Sequence, residues 1–538
     1  MKKMESLIGN VATRRRNAGA MAIGTIISRV TGLLRLSAIA WALGIYTISD
    51  IFNLSNNAPN TFFDLLIGGV LASTIVPVMV KASSRKAKNE VWESLSAITT
   101  VTVGALIIAT LIFELVAGLI IHGYFLSNHA PNRDLQIRAA INLLRFFAPQ
   151  LFFYGVISIG TALLNTFRHF AVPAFAPIAN NVIAIITLAI FHFSFSSLTE
   201  AQKLNSLANG GSLLWLLGIG TTAGVALQCA IVLYAMRGRG FALSVRFDLS
   251  NPAVKEITRL SGWTFGYVLA NQVSLFFMLT LAEGHSPGSV SAYNNSYLFF
   301  QLPYGIAAFS VMAAILPDLA EYYSHHEIGA FRRNLTRGAR ISVALLIPFS
   351  AIYVTMSHQI VQILLGHGAA SAIGINLTSK SLIALGLGLP GFGAYLALVQ
   401  GFQSARRAKE VFWIYFIENL LNIILAIVLI HSYGVFGLAL SVSISYSVSA
   451  VIAAIVMRRL ALSPYLRSLL YSWIRIAIPS LAMGIVIKVV SNYLGASNGA
   501  KLIVYIGVEL ILGSIAFGSV VALGYGISTI TRSGRTTK

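Results

Sequence analysis

The sequence predicts an all-α polytopic membrane protein with about fourteen transmembrane helices. Two observations carry that prediction. The 538 residues are 56% hydrophobic and only 10% charged, with mean hydropathy +0.78, whereas soluble domains carry about 25% charged residues. Apolar runs of about 20 residues, the length that crosses a hydrocarbon core of roughly 30 Å, also recur along the whole chain.

The first run, 18–43, is apolar but for Arg29 and Arg35, and the second, 48–80, opens at Asp50 and carries Asp64. A charge at the bilayer centre costs roughly 2.5–3.5 kcal/mol on insertion scales, so such residues mark a watery cavity, a partner or a substrate path. Arg29 and Arg35 are separated by about 9 Å along a helix axis and roughly 120° around it, a spacing that lines two walls of one cavity or two ends of an elongated anion. The second run is interrupted by Asn56, Asn57, Pro59 and Asn60, followed by Gly68 and Gly69. Proline removes a backbone donor and kinks a helix, which a membrane tolerates where protein or water satisfies the freed groups.

Runs three to six fall at 92–122, 136–165, 172–194 and 212–236. The third contains Glu114 and the fourth Arg145, for which Glu114 and Asp64 are both candidate partners. Runs seven to ten fall at 254–283, 289–320, 337–364 and 377–403. Residues 321–336 read either as an amphipathic helix on the inner membrane face or as a charged linker. The tenth run, rich in glycine around Pro390, allows close helix approach and bending. Pro59, Gly68, Gly69 and Pro390 are therefore the candidate kink or gate positions.

Runs eleven and twelve, 409–431 and 434–457, contain Glu418 and Asn422 one turn apart. A carboxylate beside an amide oxygen suits a proton or a hard cation such as Na⁺, and equally a hydrogen bond between helices. In the last two runs, 468–491 and 501–528, Arg475 and Lys488 lie near helix ends, where long side chains snorkel, and Glu509 has no evident partner. Aromatic clusters such as FFAPQLFFYG read as a lipid portal or as ordinary helix packing.

The excess of 38 Lys+Arg over 17 Asp+Glu does not point to nucleic acid here. It is concentrated in connections on one side, including RRR at 14–16, FRRNLTRGAR, ARRAK and MRRL, which predicts that side, and both termini, to be cytoplasmic. The polar N-terminus holds no cleavable signal core before the first run. The single Cys229 excludes an internal disulfide, and GxSxG, GxxxxGK[ST] and HExxH are all absent, so neither catalysis, a metal nor a cofactor is expected.

SRVTGLLR from Ser28, the acidic step at Asp50, the pair Pro59-Asn60, LLNTFRHFAVPAFAP at Leu163–Pro177 and LPYGIAAFSVMAAILPDLA at Leu302–Ala320 resemble the MurJ (MviN) lipid II flippase family. The resemblance runs from about residue 20 to about 460. It implies two six-helix lobes around a central cavity, 18–236 and 254–457, then two additional helices over 468–528, between a basic N-terminus 1–17 and a basic tail 529–538. It further implies a monomer in the cytoplasmic membrane that carries lipid II, a polyprenyl-diphosphate-linked disaccharide-pentapeptide, to the outer leaflet. Membrane lipids and cell-wall synthesis proteins are the other implied partners. A Na⁺ or H⁺ gradient or the membrane potential would drive transport.

On this resemblance Arg29 and Arg35 bind the diphosphate and Asp50 is a further functional residue of the cavity, while Asn60 and Arg145 are candidate cavity residues by their place in the apolar runs. Guanidinium forks suit bidentate contact with phosphate oxygens. Many family members carry two more arginines, at positions that are Phe63 and Leu298 here, and Arg145 is a candidate substitute. The rival readings are a flippase for another polyprenyl-diphosphate glycan, a drug or cation antiporter of the same superfamily, and a non-transporting scaffold. The deep arginines argue against a scaffold.

Overall fold

The computed structural model describes residues 11–68, 88–166, 169–237, 244–248, 262–495 and 499–533. Every regular element among them is helical. The chain divides into two compact units, Met1–Val290 with Gly368–Ala370, and Ser291–His367 with Ser371–Lys538.

In the first unit α1 (Val11–Leu43) turns at Gly44 into α2 (Thr47–Phe63), and a π-helical turn, Asp64–Gly68, follows. Pro59 lies inside α2, where it removes one ladder N–H, and the π-helical turn begins five residues later. Gly69 lies outside the described residues. Next come α3 (Lys88–Tyr124), α4 (Arg133–Phe147), α5 (Pro149–Thr166) and α6 (Ala171–Phe195). Short α7 (Glu200–Ala208) precedes α8 (Ser212–Arg237) and α9 (Gly262–Glu283). α7 starts at a capping box in which Thr199 and Gln202 satisfy each other's backbone N–H. α1 packs on α6, α2 on α4, and α8 on α5 and α6. Leu95, Leu106, Leu163, Leu164 and Val232 form a buried cluster among α3, α5 and α8.

The second unit holds α10 (Ser289–Pro303) from Ser291 onward, a π-turn at Tyr304–Ala308, α11 (Phe309–Ser324), α12 (Ile328–Leu365) and α13 (Ala372–Ser404). It continues with α14 (Ala408–Arg459), α15 (Leu466–Leu494) and α16 (Ala500–Ser533). Pro303 and the π-turn together bend α10 against α11 by 49°. Residues 321–336 form neither a separate interfacial helix nor a plain linker: α11 ends at Ser324, His326 takes φ 60, and α12 starts at Ile328 and runs unbroken into its span. Side chains added at Gly388 and Gly391 of α13 would strike Ser443 and Ser447, so these glycines let α13 touch α14 backbone to backbone.

Among the described residues eleven helices are long and apolar enough to cross a membrane, or twelve with the bent pair counted as one span. Among these residues the expected fourteen are not reached, for two reasons. The expected second span, 48–80, continues past Gly68 into undescribed residues. The expected eleventh and twelfth share the 52-residue α14. A straight helix of that length would measure about 78 Å, more than twice the hydrocarbon core. It is not straight: Gly434 has φ 57 and ψ −140, Gly437 packs against the Leu429 carbonyl, and Ser441 Oγ reaches Asn422 Oδ1 at 2.8 Å. The chain therefore reverses at Gly434, a conformation that excludes a β-carbon.

Candidate functional site

The polar interior of the first unit begins where α1 meets α6. Asn181 of α6, almost fully buried, donates to the Ser28 carbonyl at 3.3 Å and to Thr31 Oγ1 at 3.0 Å, which fixes the rotation of α1. Arg35, two turns beyond Ser28 on that side, is half-buried, while Arg29, about 120° round the helix, is exposed. Neither has an ion-pair partner among the described residues.

The Arg35 guanidinium stands beside the phenol of Tyr154 on α5. Tyr154 shares a hydrogen bond with Asn60 of α2 and donates to Gln150 Oε1 at 3.1 Å. Gln150 in turn donates to Thr222 Oγ1 at 3.0 Å, and Thr222 donates to the Phe146 carbonyl at 2.7 Å. A hydrogen-bonded chain thus runs from α2 through α5 to α8, with a fixed cation at one end. The members of this chain hold one another in place, and the Arg35 guanidinium at its end supplies the donors that suit an oxyanion. Tyr154 was not singled out from the sequence: in FFAPQLFFYG an aromatic reads as packing, and only the fold reveals its polar neighbours.

Of the predicted residues, Arg35 and Asn60 are thus joined through Tyr154. Phe63, one of the two positions at which the family resemblance implies an arginine, places its ring 6.0 Å from that of Tyr154. Arg145 is committed elsewhere, 3.7 Å from Glu114 of α3, with both side chains substantially exposed. Asp64 accepts from Gln272 of α9 at 3.2 Å. Asp50 lies in the first turn of α2, about 15 Å along the axis from Asn60, is 3% exposed, and accepts a hydrogen bond from the Gly288 amide at 2.6 Å.

In the second unit Glu418 is 2% exposed and surrounded by phenols. Tyr293, Tyr297, Tyr395 and Tyr446 all lie within its electrostatic reach. The Tyr395 and Tyr446 rings are 5.2 Å apart, and those of Tyr395 and Tyr415 are 5.6 Å apart. Asn422 binds Ser441 across the Gly434 reversal, so it ties the two halves of α14 together. Pro390 sits inside α13, and Leu298 is exposed on α10. Glu509, without an evident partner in the sequence, meets Ser491 and Gln359 and stands near Lys488. Among the described residues no group of three or more His, Cys, Asp or Glu is placed to hold a metal.

The family model described as "Lipid II flippase MurJ" matches residues 39–506. A probable lipid II flippase MurJ of Synechocystis sp. is 27% identical over 437 residues, covering 79% of this chain and 78% of its own. A protein of the same description from Thermotoga maritima is 23% identical over 491 residues, covering 91% of this chain and 93% of its own. Among solved structures, a lipid II flippase MurJ in an inward closed conformation superposes with TM-score 0.74 at 20% identity, over 95% of this chain and 99% of its own. An inward-facing multidrug resistance MATE family transporter of the MOP superfamily gives TM-score 0.66 at 13% identity, over 81% of this chain and 98% of its own. At these identities the structural likeness speaks to the fold alone.

Proposed function

The chain belongs to the lipid II flippase MurJ family, and from that premise we propose that it moves lipid II from the inner to the outer leaflet of the cytoplasmic membrane by alternating access. The observation that carries this reading is the match across residues 39–506, which includes most of both compact units. On this reading the protein is a transporter with no catalytic step. Its Lys/Arg-rich connections and both termini face the cytoplasm, and its partners are the lipid-linked precursor and the surrounding lipids.

Arg29 and Arg35 take the diphosphate. Their charge persists at any working pH, and their forks match phosphate oxygens in pairs. Arg35, Tyr154 and Asn60 form the ordered part of the cradle, and exposed Arg29 is free to meet a headgroup as it arrives. Asp50 shapes the cavity from the end of α2. With Phe63 beside Tyr154 and Arg145 paired to Glu114, the diphosphate is held by fewer arginines than in many relatives. Pro59, Gly68 and Pro390 absorb the bending. Glu418 within its ring of tyrosines, with Asn422, is the site that couples transport to a Na⁺ or H⁺ gradient.

The reading is tested in proteoliposomes that contain the purified protein and fluorescent lipid II, with a quencher or a headgroup-modifying enzyme outside. The protein should expose inner-leaflet lipid II. A vesicle that does so for a drug cation or another glycan lipid but never for lipid II would support a rival transporter reading instead.

A further inference from the structure

The first unit contains a second buried acidic group that the transport reading leaves without a task. Glu283, the last residue of α9, is 9% exposed. Its Oε1 accepts from Asn128 Nδ2 at 2.9 Å, and Asn128 also donates to Gln136 Oε1 at 3.1 Å. Its Oε2 is buried and has no hydrogen-bond partner among the described residues. The carboxyl in electrostatic contact with it is that of Asp50, which accepts the Gly288 amide five residues beyond Glu283. The approach at Gly288 is backbone to backbone: its φ is +89, and a β-carbon there would lie 2.6 Å from the Ile45 carbonyl. One carboxyl thus latches the turn after α9 onto the α1–α2 turn, and the other stands beside it with a bare oxygen.

Two carboxylates removed from water do not both stay ionised cheaply, because each raises the cost of charging the other. We infer that Asp50 and Glu283 form a proton-binding pair that shares one exchangeable proton, and that losing this proton loosens the Asp50–Gly288 latch. The proton comes from water on the side the proposed topology puts outside. It bonds to Glu283 Oε2, which then donates to the Asp50 carboxylate. That single O–H satisfies the orphan oxygen and removes one of two like charges. When it leaves, the charges repel and the end of α9 parts from that of α2. Sodium fits less well, since a hard cation takes about six oxygen ligands, and the nearby amide oxygen, Asn128 Oδ1, already accepts from the Ala130 amide at 2.8 Å.

Other charged groups at this end are engaged or exposed. Arg133 donates to the Phe125 carbonyl and lies 3.7 Å from Asp134. Glu200 accepts from the Ile48 amide beside Lys203; burial pushes its carboxyl above the usual range, against the pull of Lys203. His129 and His285 are exposed on their turns.

The inference rests on and deepens the transport reading, since a latch that follows a proton would make the outer end of the first unit open or close with outside pH while Glu418 carries the gradient coupling, but its test needs no substrate. The full chain with Cys229→Ser is spin-labelled at Tyr46→Cys and His285→Cys, which also removes one histidine, and the distance is measured in sodium-free lipid nanodiscs from acid to alkaline pH. The pair predicts a short distance at low pH that lengthens with rising pH in a one-proton transition. Glu283→Gln should hold the short distance throughout, while His129→Gln and Glu200→Gln should leave the transition in place. A pH response that survives Glu283→Gln, or a wild-type distance that never changes, overturns the inference. Sodium shortening the distance at alkaline pH would replace the proton by a metal cation and overturn it as well. Should Glu283→Gln not fold, infrared difference spectra of the unsubstituted chain decide: a protonated-carboxyl band must be lost over the same pH range, and its absence contradicts the pair. A failure here leaves lipid II transport standing, and a failure of lipid II transport leaves the proton measurable.

Discussion

The Tyr154 hydroxyl donates to Gln150 Oε1 at 3.1 Å, one turn back on the same helix, and thereby holds its oxygen between Arg35 and Asn60. Tyr154→Phe removes the oxygen and keeps the ring against Phe63. A neutral side-chain hydrogen bond contributes about 0.5–1.5 kcal/mol, so with Asn60 and Gln150 no longer tied together lipid II affinity should fall roughly two- to ten-fold. Thermal stability should change little. Binding titrations in nanodiscs check this, and unchanged affinity would remove Tyr154 from the cradle.

Arg29→Ala and Arg35→Ala should each abolish or nearly abolish flipping while the protein still reaches the membrane. Lysine should rescue only in part, because a point charge lacks the guanidinium fork. Arg145→Ala should cost less than either, since Arg145 already faces Glu114. Full transport by both α1 alanine variants would refute the diphosphate assignment.

The proposed orientation follows from the Lys/Arg bias. In a Cys229→Ser background, Ala201→Cys on α7 should react with a membrane-impermeant thiol reagent in intact cells. His325→Cys between α11 and α12, and Ser84→Cys outside the described residues, should not. Labelling at 325 with protection at 201 would invert the topology.

Glu418→Gln keeps shape and removes charge within the tyrosine ring. It should leave folding nearly intact and uncouple transport from imposed Na⁺ and H⁺ gradients. A wild-type gradient response would leave Glu418 and Asn422 as structural residues only, in line with the Asn422–Ser441 bond.

Gly388→Val places a branched side chain where Ser443 already stands. Overpacking of this kind costs about 1–3 kcal/mol, so the thermal midpoint should drop while Leu387→Val, on an exposed position of the same helix, leaves it unchanged.

Much of this was legible in the sequence because membranes impose simple rules. Apolar run length sets the spans, and the split between 409–431 and 434–457 already marks the reversal that Gly434 makes. Arg29 and Arg35 stand out because charge is rare in such runs. The partner of Arg145 was not legible, since both Asp64 and Glu114 were in range by composition and only the packing of α3 on α4 chooses Glu114. Glu283 was hidden by its position at a span edge, where an acid reads as a solvated terminus. The T-x-x-Q capping box at Thr199 was readable, but it opens a helix too short to register against its apolar neighbours.

Lipid II transport is tested most directly by replacing an essential lipid II flippase with this chain in living cells and following precursor upon depletion of the resident protein. Growth without accumulation of lipid II is expected, and lysis with accumulation when the chain carries Arg35→Ala. Accumulation and lysis with the unaltered chain, present in the membrane at normal levels, would contradict lipid II transport by this chain.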